Sequence, residues 1–437
     1  MSYISNVLFA VILVLGIGYF AKNVKKLIRN IKLGRDIDVS DNQSQRWENM
    51  IRIALGQSKM VRRPVSGVLH VIVYIGFIII NIEVLEIILD GLFGTHRIGL
   101  KVLPISVYGF LIGTFEVLAC LVLVSVTVFW VRRNVIKLAR FMKSEMSGWP
   151  KQDGNLILYF EVVLMTLFLV MNATDSQFQS LNSGNVISQF IAPCFEGMPE
   201  NGLHLIERGA WWLHIIGILI FLNYLYFSKH LHILLAFPNT FYGKLQPKGQ
   251  MDNLEAVANE VKMMMDPDAD PFAAPAEGGE DDIPEKFGAS DVQDLNWVQL
   301  LNAYTCTECG RCTSECPANL TGKKLSPRKI MMDTRDRLEE VGKNIDANNG
   351  EFKGDGKQLL DDYITREELW ACTSCNACTE ACPVSIDPLS IILDMRRYLV
   401  MEQSAAPAEL NTMMTNIENN GAPWPYNQMD RLNWKNE

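Results

Sequence analysis

Histidine is scarce in this chain, and cysteine is scarce outside two short stretches. Of 437 residues, six are histidine and ten are cysteine. Eight of the cysteines fall in two tight clusters after residue 300, leaving Cys120 in an apolar run and Cys194 in a loop. That pattern argues against the disulfide framework of a small secreted domain and reads as metal-site usage in a reducing compartment. The two outlying cysteines read as plain structural residues. A basic excess is missing as well: 40 Lys and Arg against 49 Asp and Glu leave a net charge of −9, which argues against a nucleic-acid partner. No nucleotide-binding glycine loop and no nucleophile–base constellation is evident.

Charge is thin in the first half, where apolar stretches long enough to cross a bilayer (roughly 20 residues) run near 3–20, 66–90, 104–131, 154–172 and 209–234. The first has no basic residue before it and no small-residue cleavage site, so it is expected to be a retained helix. The segment 21–65 carries eleven Lys and Arg and 131–153 carries six, whereas 91–103 has only Arg97 and Lys101 and 173–208 only Arg208. The positive-inside bias then puts the N-terminus outside and everything after residue 234 in the cytoplasm of a bacterial inner membrane. Glu83, Glu86, Glu116 and Glu161 also fall inside these spans, where carboxylates often mark proton or quinone chemistry. Glu86 sits near an outer end and reads as interfacial; Glu116 is close to mid-membrane.

Three of the six histidines, His214, His230 and His232, sit in "LHIIGILIFLNYLYFSKHLHILLAFP". On one continuous helix His214 and His232 share a face about 27 Å apart, and His230 points elsewhere. Imidazoles near both surfaces suit axial ligands for b-type haem. His70, early in the second span, is level with His232 and is the expected partner. His230, His96 and His204 read as hydrogen-bonded interfacial residues.

Residues 266–291 hold nine acidic residues, four prolines and one lysine, the composition of a tether. Then come "CTECGRCTSECP" and "CTSCNACTEACP". Both match C-x2-C-x2-C-x3-C-P, the bacterial ferredoxin run, whose fourth cysteine ligates the other cluster. One [4Fe–4S] cluster is therefore expected on Cys306, Cys309, Cys312 and Cys382, and a second on Cys372, Cys375, Cys378 and Cys316. Zinc would want C-x2-C pairs across a long gap rather than quartets.

The spans, the early histidine of span two and the ending "FSKHLHILLAFP" resemble the cytochrome b subunit of respiratory nitrate reductase and the membrane subunits of heterodisulfide-reductase-related complexes. The nitrate reductase protein has a second histidine in span two and binds two haems; here the position is Ile80, so one haem is expected, near the cytoplasmic face, and His214 lacks an evident partner. The helices flanking each quartet are similar to the C-terminal half of the succinate dehydrogenase iron–sulfur subunit. "TGKKLSPRKIMMDTRD" and "ELWACTSCNACTEACPVSIDP" resemble membrane-anchored iron–sulfur oxidoreductases related to heterodisulfide reductase. Many such proteins continue into cysteine-rich CCG repeats, absent here. The resemblance implies a separate CCG-containing catalytic subunit as partner.

The expectation is an all-α membrane bundle of five transmembrane helices followed by a mainly α-helical dicluster ferredoxin domain. Its parts are a cytochrome b-type domain (1–240), an acidic flexible linker (241–291), a two-[4Fe–4S] domain (292–404) and a docking tail (405–437) bearing Trp424, Tyr426 and Trp434. It would move electrons between quinone or quinol in the lipid bilayer, haem b, the clusters and the soluble partner. The rival readings are an iron–sulfur assembly or metal-reduction factor and a redox sensor.

Overall fold

The computed structural model describes residues 2–247, 249–266 and 286–436. Residues 248 and 267–285 of the acidic linker expected at 241–291 therefore lie outside the described residues. Among the described residues, five helices are long and apolar enough to cross a membrane. They are α1 (Ser2–Ile31), α2 (Pro64–Phe93), α3 (Ile105–Asn134), α4 (Trp149–Thr174) and α5 (Glu200–Tyr224). Proline in the first turn starts α2 and α4, where its missing N–H costs no intrahelical bond. A 30-residue helix is about 45 Å long, against roughly 30 Å of hydrocarbon, so α1, α2 and α3 project beyond the bilayer. Phe115, Phe168 and Ile215 fill the bundle interior, while Phe110, Leu205 and Leu213 lie on its outside.

The fifth span departs from expectation. The α-helix stops at Tyr224, a single 3-10 turn covers Leu225–Phe227, and Ser228 is extended (φ −116°, ψ 145°). Another 3-10 turn, Lys229–Leu231, leads into α6 (His232–Phe241). The cause is Asp153, buried near the start of α4. Its carboxylate accepts from Tyr224 Oη and Ser228 Oγ, both at 2.6 Å, and from the Lys229 amide at 3.1 Å. Ser228 Oγ in turn accepts from the His230 amide. These side-chain bonds offer the backbone an alternative to the helical ladder. His214 and His232 are therefore not on one helical stripe, and His230 does not point away.

Two intramembrane carboxylates have structural duties. Glu116 accepts from Asn172 Nδ2 and from the amides of Ile187 and Ser188, so it ties the loop between α4 and α5 to the bundle. Glu86 accepts from the Gly99 amide and Tyr108 Oη. Glu83 Oε2 is buried without a hydrogen-bond partner.

The second half is helical too; among the described residues there are isolated β-bridges but no strand. It is built on α7 (Trp297–Thr305), α8 (Pro327–Ala347) and α9 (Pro388–Arg397). This unit sits on the end of the bundle where α1 and α3 finish and α2 and α4 begin. Asn30 of α1 donates to Tyr304 Oη at 2.9 Å, and Arg29 donates to the carbonyl of Gly342. Glycine at 342 permits the approach, since a Cβ there would stand 2.5 Å from Asn30 Nδ2. Across the junction the Arg35 amide donates to the Leu295 carbonyl and the Trp297 amide donates to the Arg35 carbonyl. Residues 286–291 already belong to the second unit: Ala289 and Ser290 are buried, and the Ala289 amide donates to the Asp394 carbonyl. The chain after residue 405 forms a helix, Ala408–Asn420, with no buried residue, and Trp424, Tyr426 and Trp434 are exposed.

Candidate redox centres

Each cysteine quartet is entered the same way. A helix opening with a capping box ends directly on the first cysteine: Asn296 and Gln299 start α7 before Cys306, and Thr365 and Glu368 start Arg366–Ala371 before Cys372. Two residues on, Glu308 and Ser374 both have φ 55°; Gly310 (φ 72°) and Asn376 (φ 58°) repeat the left-handed turn. Such turns aim successive N–H groups into the loop, forming an anion-holding nest. The Ser374 amide donates to Cys372 Sγ at 3.4 Å.

The two loops face one another through their short helices. Cys306, Cys309 and Cys312 line one cavity with Cys382 from the other loop, together with Arg311, Arg328 and Met331. Cys316 and Cys375 both lie near enough to Cys372 to act on it electrostatically, and Cys372 acts likewise on Cys378. Burial pushes the Cys306 and Cys378 thiols up to about 12 and Cys382 to about 11. Burial thus disfavours a bare thiolate here, and cysteines converging on a small, mostly apolar cavity fit a thiolate-ligated iron–sulfur centre, whose soft iron stabilises the deprotonated form.

The histidines gather close to the first cavity, for Arg311 of its lining acts electrostatically on His70. The ring centroids of His70 and His232 are 6.3 Å apart at 43°, and His230 stands 5.4 Å from His232. An iron bonded to two imidazoles separates ring centroids by about 6 Å, from a metal–nitrogen bond of roughly 2 Å and about 1 Å to the centroid on each side. His232 Nδ1 lies 3.2 Å from the Lys229 carbonyl, which fixes that nitrogen as N–H and leaves Nε2 for a metal. His70 Nδ1 is buried with no partner, as is Tyr74 Oη one turn along α2. These residues fit a bis-histidine haem. His214 is buried with Nδ1 unpartnered, but the ring it faces is Phe168, at 6.3 Å, and Ile80 is packed in the core.

A buried ionic relay joins the two sites. Lys229, next to His230, pairs with Glu308 between Cys306 and Cys309, and Arg335 of α8 pairs with the other Glu308 oxygen at 2.9 Å. Burial alone would raise the Glu308 pKa, but Lys229 and Arg335 overcome it and hold the carboxyl below its usual range. Arg311, between Cys309 and Cys312, donates to the carbonyls of Lys59 and Met60 just before α2. Neither this relay nor His230 was expected from the sequence. The only clue to the relay was a lysine in the otherwise apolar "LYFSKHLHILL".

Residues 305–386 match the 4Fe-4S dicluster domain. A Bacillus subtilis protein named probable iron-sulfur-binding oxidoreductase FadF is 29% identical over 98% of this chain and 60% of its own length. The EtfAB:quinone oxidoreductase of Syntrophomonas wolfei is 26% identical over 92% of this chain and 55% of its own. This chain thus spans little more than half the length of those relatives. One component of the ferredoxin/F420H2-dependent CoB-CoM heterodisulfide reductase of Methanosarcina acetivorans is 35% identical over 27% of this chain and 60% of its own. No solved structure matches significantly. The dicluster domain is therefore fused to a five-helix apolar bundle, in a chain related to iron–sulfur oxidoreductases.

Proposed function

We propose that the chain is a membrane electron-transfer subunit linking the quinone pool to a soluble iron–sulfur catalytic module through one haem b and two [4Fe–4S] clusters. The observation that carries this reading is the proximity of the sites. The His70–His232 pair, spaced for a bound iron, neighbours the cavity of Cys306, Cys309, Cys312 and Cys382, and Arg311 and the Lys229–Glu308 pair link the two. When bound, haem and clusters supply one-electron chemistry. The residues of the chain orient and insulate them. The Lys229 carbonyl fixes the tautomer of His232, and Asp153 holds the turn that swings His232 toward α2. Glu308, with its two cations, keeps a fixed charge beside the first cluster site.

The lysine and arginine bias supports an N-terminus outside and the dicluster domain in the cytoplasm. The relative named a quinone oxidoreductase supports a quinone as the membrane partner. The heterodisulfide reductase likeness supports a CCG-type soluble partner, for which the exposed aromatics of 405–437 offer a docking strip. The test is haem b and non-haem iron per polypeptide in anaerobically purified protein, with dithionite- and quinol-reduced spectra. About one haem and roughly eight irons, reducible by quinol, is the expected result. The same iron with no haem would overturn the proposal and favour an assembly factor.

A further inference from the structure

A second charged site lies on the same membrane face and belongs to neither redox centre. Where α2 begins and α3 ends, Arg62, Arg63, Arg132 and Arg140 line one open groove together with Val65 and Ser66, and there is no carboxylate in its lining. Arg62 and Arg63 reach outward to Glu380 (2.5 Å) and Glu315 (2.7 Å) of the dicluster domain. Arg140 stacks on Phe141, and its buried Nε has no hydrogen-bond partner. Arg63, Arg132 and Arg311 all repel its charge. The groove also receives the start of α2: Arg63 is its N-cap without a side-chain capping bond, so the first amides of a 30-residue helix face the same space. Clustered guanidiniums, an unpartnered donor and a helix N-terminus all select an anion with several oxygens, a phosphate above all.

The surroundings decide which phosphate. The groove opens where two apolar helices leave the bilayer, and its neighbours Val65, Val68, Val135 and Ile136 are large apolar residues more than half exposed. A phosphate ester carrying acyl chains meets both surfaces at once; a free phosphate meets only the cationic one. Basic pockets at the cytoplasmic ends of transmembrane helices are suited to anionic headgroups. We propose that this groove holds the headgroup of an anionic phospholipid, clamped by Arg132 and Arg140 and lying against the face that carries the first cluster site. Arg140 also interacts electrostatically with Cys309, so the bound anion would share a cation with that site.

The test uses the full chain, purified in a neutral detergent and analysed by native mass spectrometry and thermal unfolding. Titration with phosphatidylglycerol should give one saturable adduct per chain and a rise in unfolding temperature. Phosphatidylcholine and inorganic phosphate should give neither. The Arg132→Gln/Arg140→Gln double variant should weaken the adduct at least tenfold, with its iron content and detergent-only unfolding temperature as checks on folding. Equal stabilisation by inorganic phosphate would overturn the lipid assignment, as would equal adducts with phosphatidylcholine. If the variant is too unstable to isolate, the wild-type titration alone decides. None of these outcomes depends on haem content, so the lipid site stands or fails separately from the electron-transfer reading.

Discussion

Replacing Asp153 tests the link between the broken fifth span and the histidine pair. Its carboxylate accepts three hydrogen bonds and lies 3.8 Å from Lys229 Nζ. Bonds to a buried charged acceptor are worth about 1.5–3 kcal/mol each, and three that share one group fall short of their sum, so Asp153→Ala should cost about 3–5 kcal/mol. Nothing then holds Ser228 extended, and the chain from Tyr224 onward can continue as helix, taking His230 and His232 away from His70. A cost of about 3 kcal/mol corresponds to a population change of roughly 150-fold, enough to empty a site assembled by that turn. The expected outcome is loss of haem b with all the non-haem iron retained, read from the reduced spectrum and an iron assay on the same sample. Asp153→Asn, which keeps an acceptor oxygen, should retain most of the haem. Wild-type haem occupancy and unfolding temperature in Asp153→Ala would refute the argument.

Cys382→Ser and Cys316→Ser should each damage the cluster of the opposite loop. Electron paramagnetic resonance of the two reduced variants should show different residual centres, and the first should disturb the one nearest the histidines. His96 pairs with buried Asp175 and Glu207, which raise its pKa to about 9, Asp175 contributing most. The ordinary value is about 6.5, so this stabilisation is complete below about pH 6.5 and is lost as pH rises through about 9. Unfolding temperature should therefore fall between pH 7 and 10 in the wild type and fall less in His96→Gln. Gly342→Ala would press a methyl group to 2.5 Å from Asn30 Nδ2. It should cost about 1–3 kcal/mol at the domain junction, seen as faster proteolytic release of the dicluster domain from intact membranes.

Much of this was legible in the sequence because it is encoded locally. The quartet spacing names the cluster domain, and five apolar runs name the bundle, since both signals lie within one short window. The course of the fifth span was not legible, because the residue that breaks it, Asp153, is 75 positions from Ser228. Helical arithmetic on His214 and His232 assumed continuity that a distant carboxylate removes, and it sent His230 to the wrong side. Glu116 presents the same difficulty: at mid-helix it suggested proton chemistry, but its partners are amides of a loop some 70 residues later. Contacts across the junction, such as Asn30 with Tyr304, carry no sequence signature at all.

The interleaving of the loops has a consequence for biosynthesis. A cavity lined by Cys306, Cys309, Cys312 and Cys382 cannot close while the chain emerging from the ribosome ends short of Cys382. By then the five long apolar helices α1 to α5 have been made, together with α6. The membrane part can therefore insert while the first three thiols remain without their fourth companion, and cofactor loading becomes a late, nearly simultaneous event for both halves. On the proposed ligand assignment, a nascent chain truncated at any point before residue 382 would carry cysteines but no completed site, and delivery of iron and sulfide would be timed by the last cysteine of the second loop.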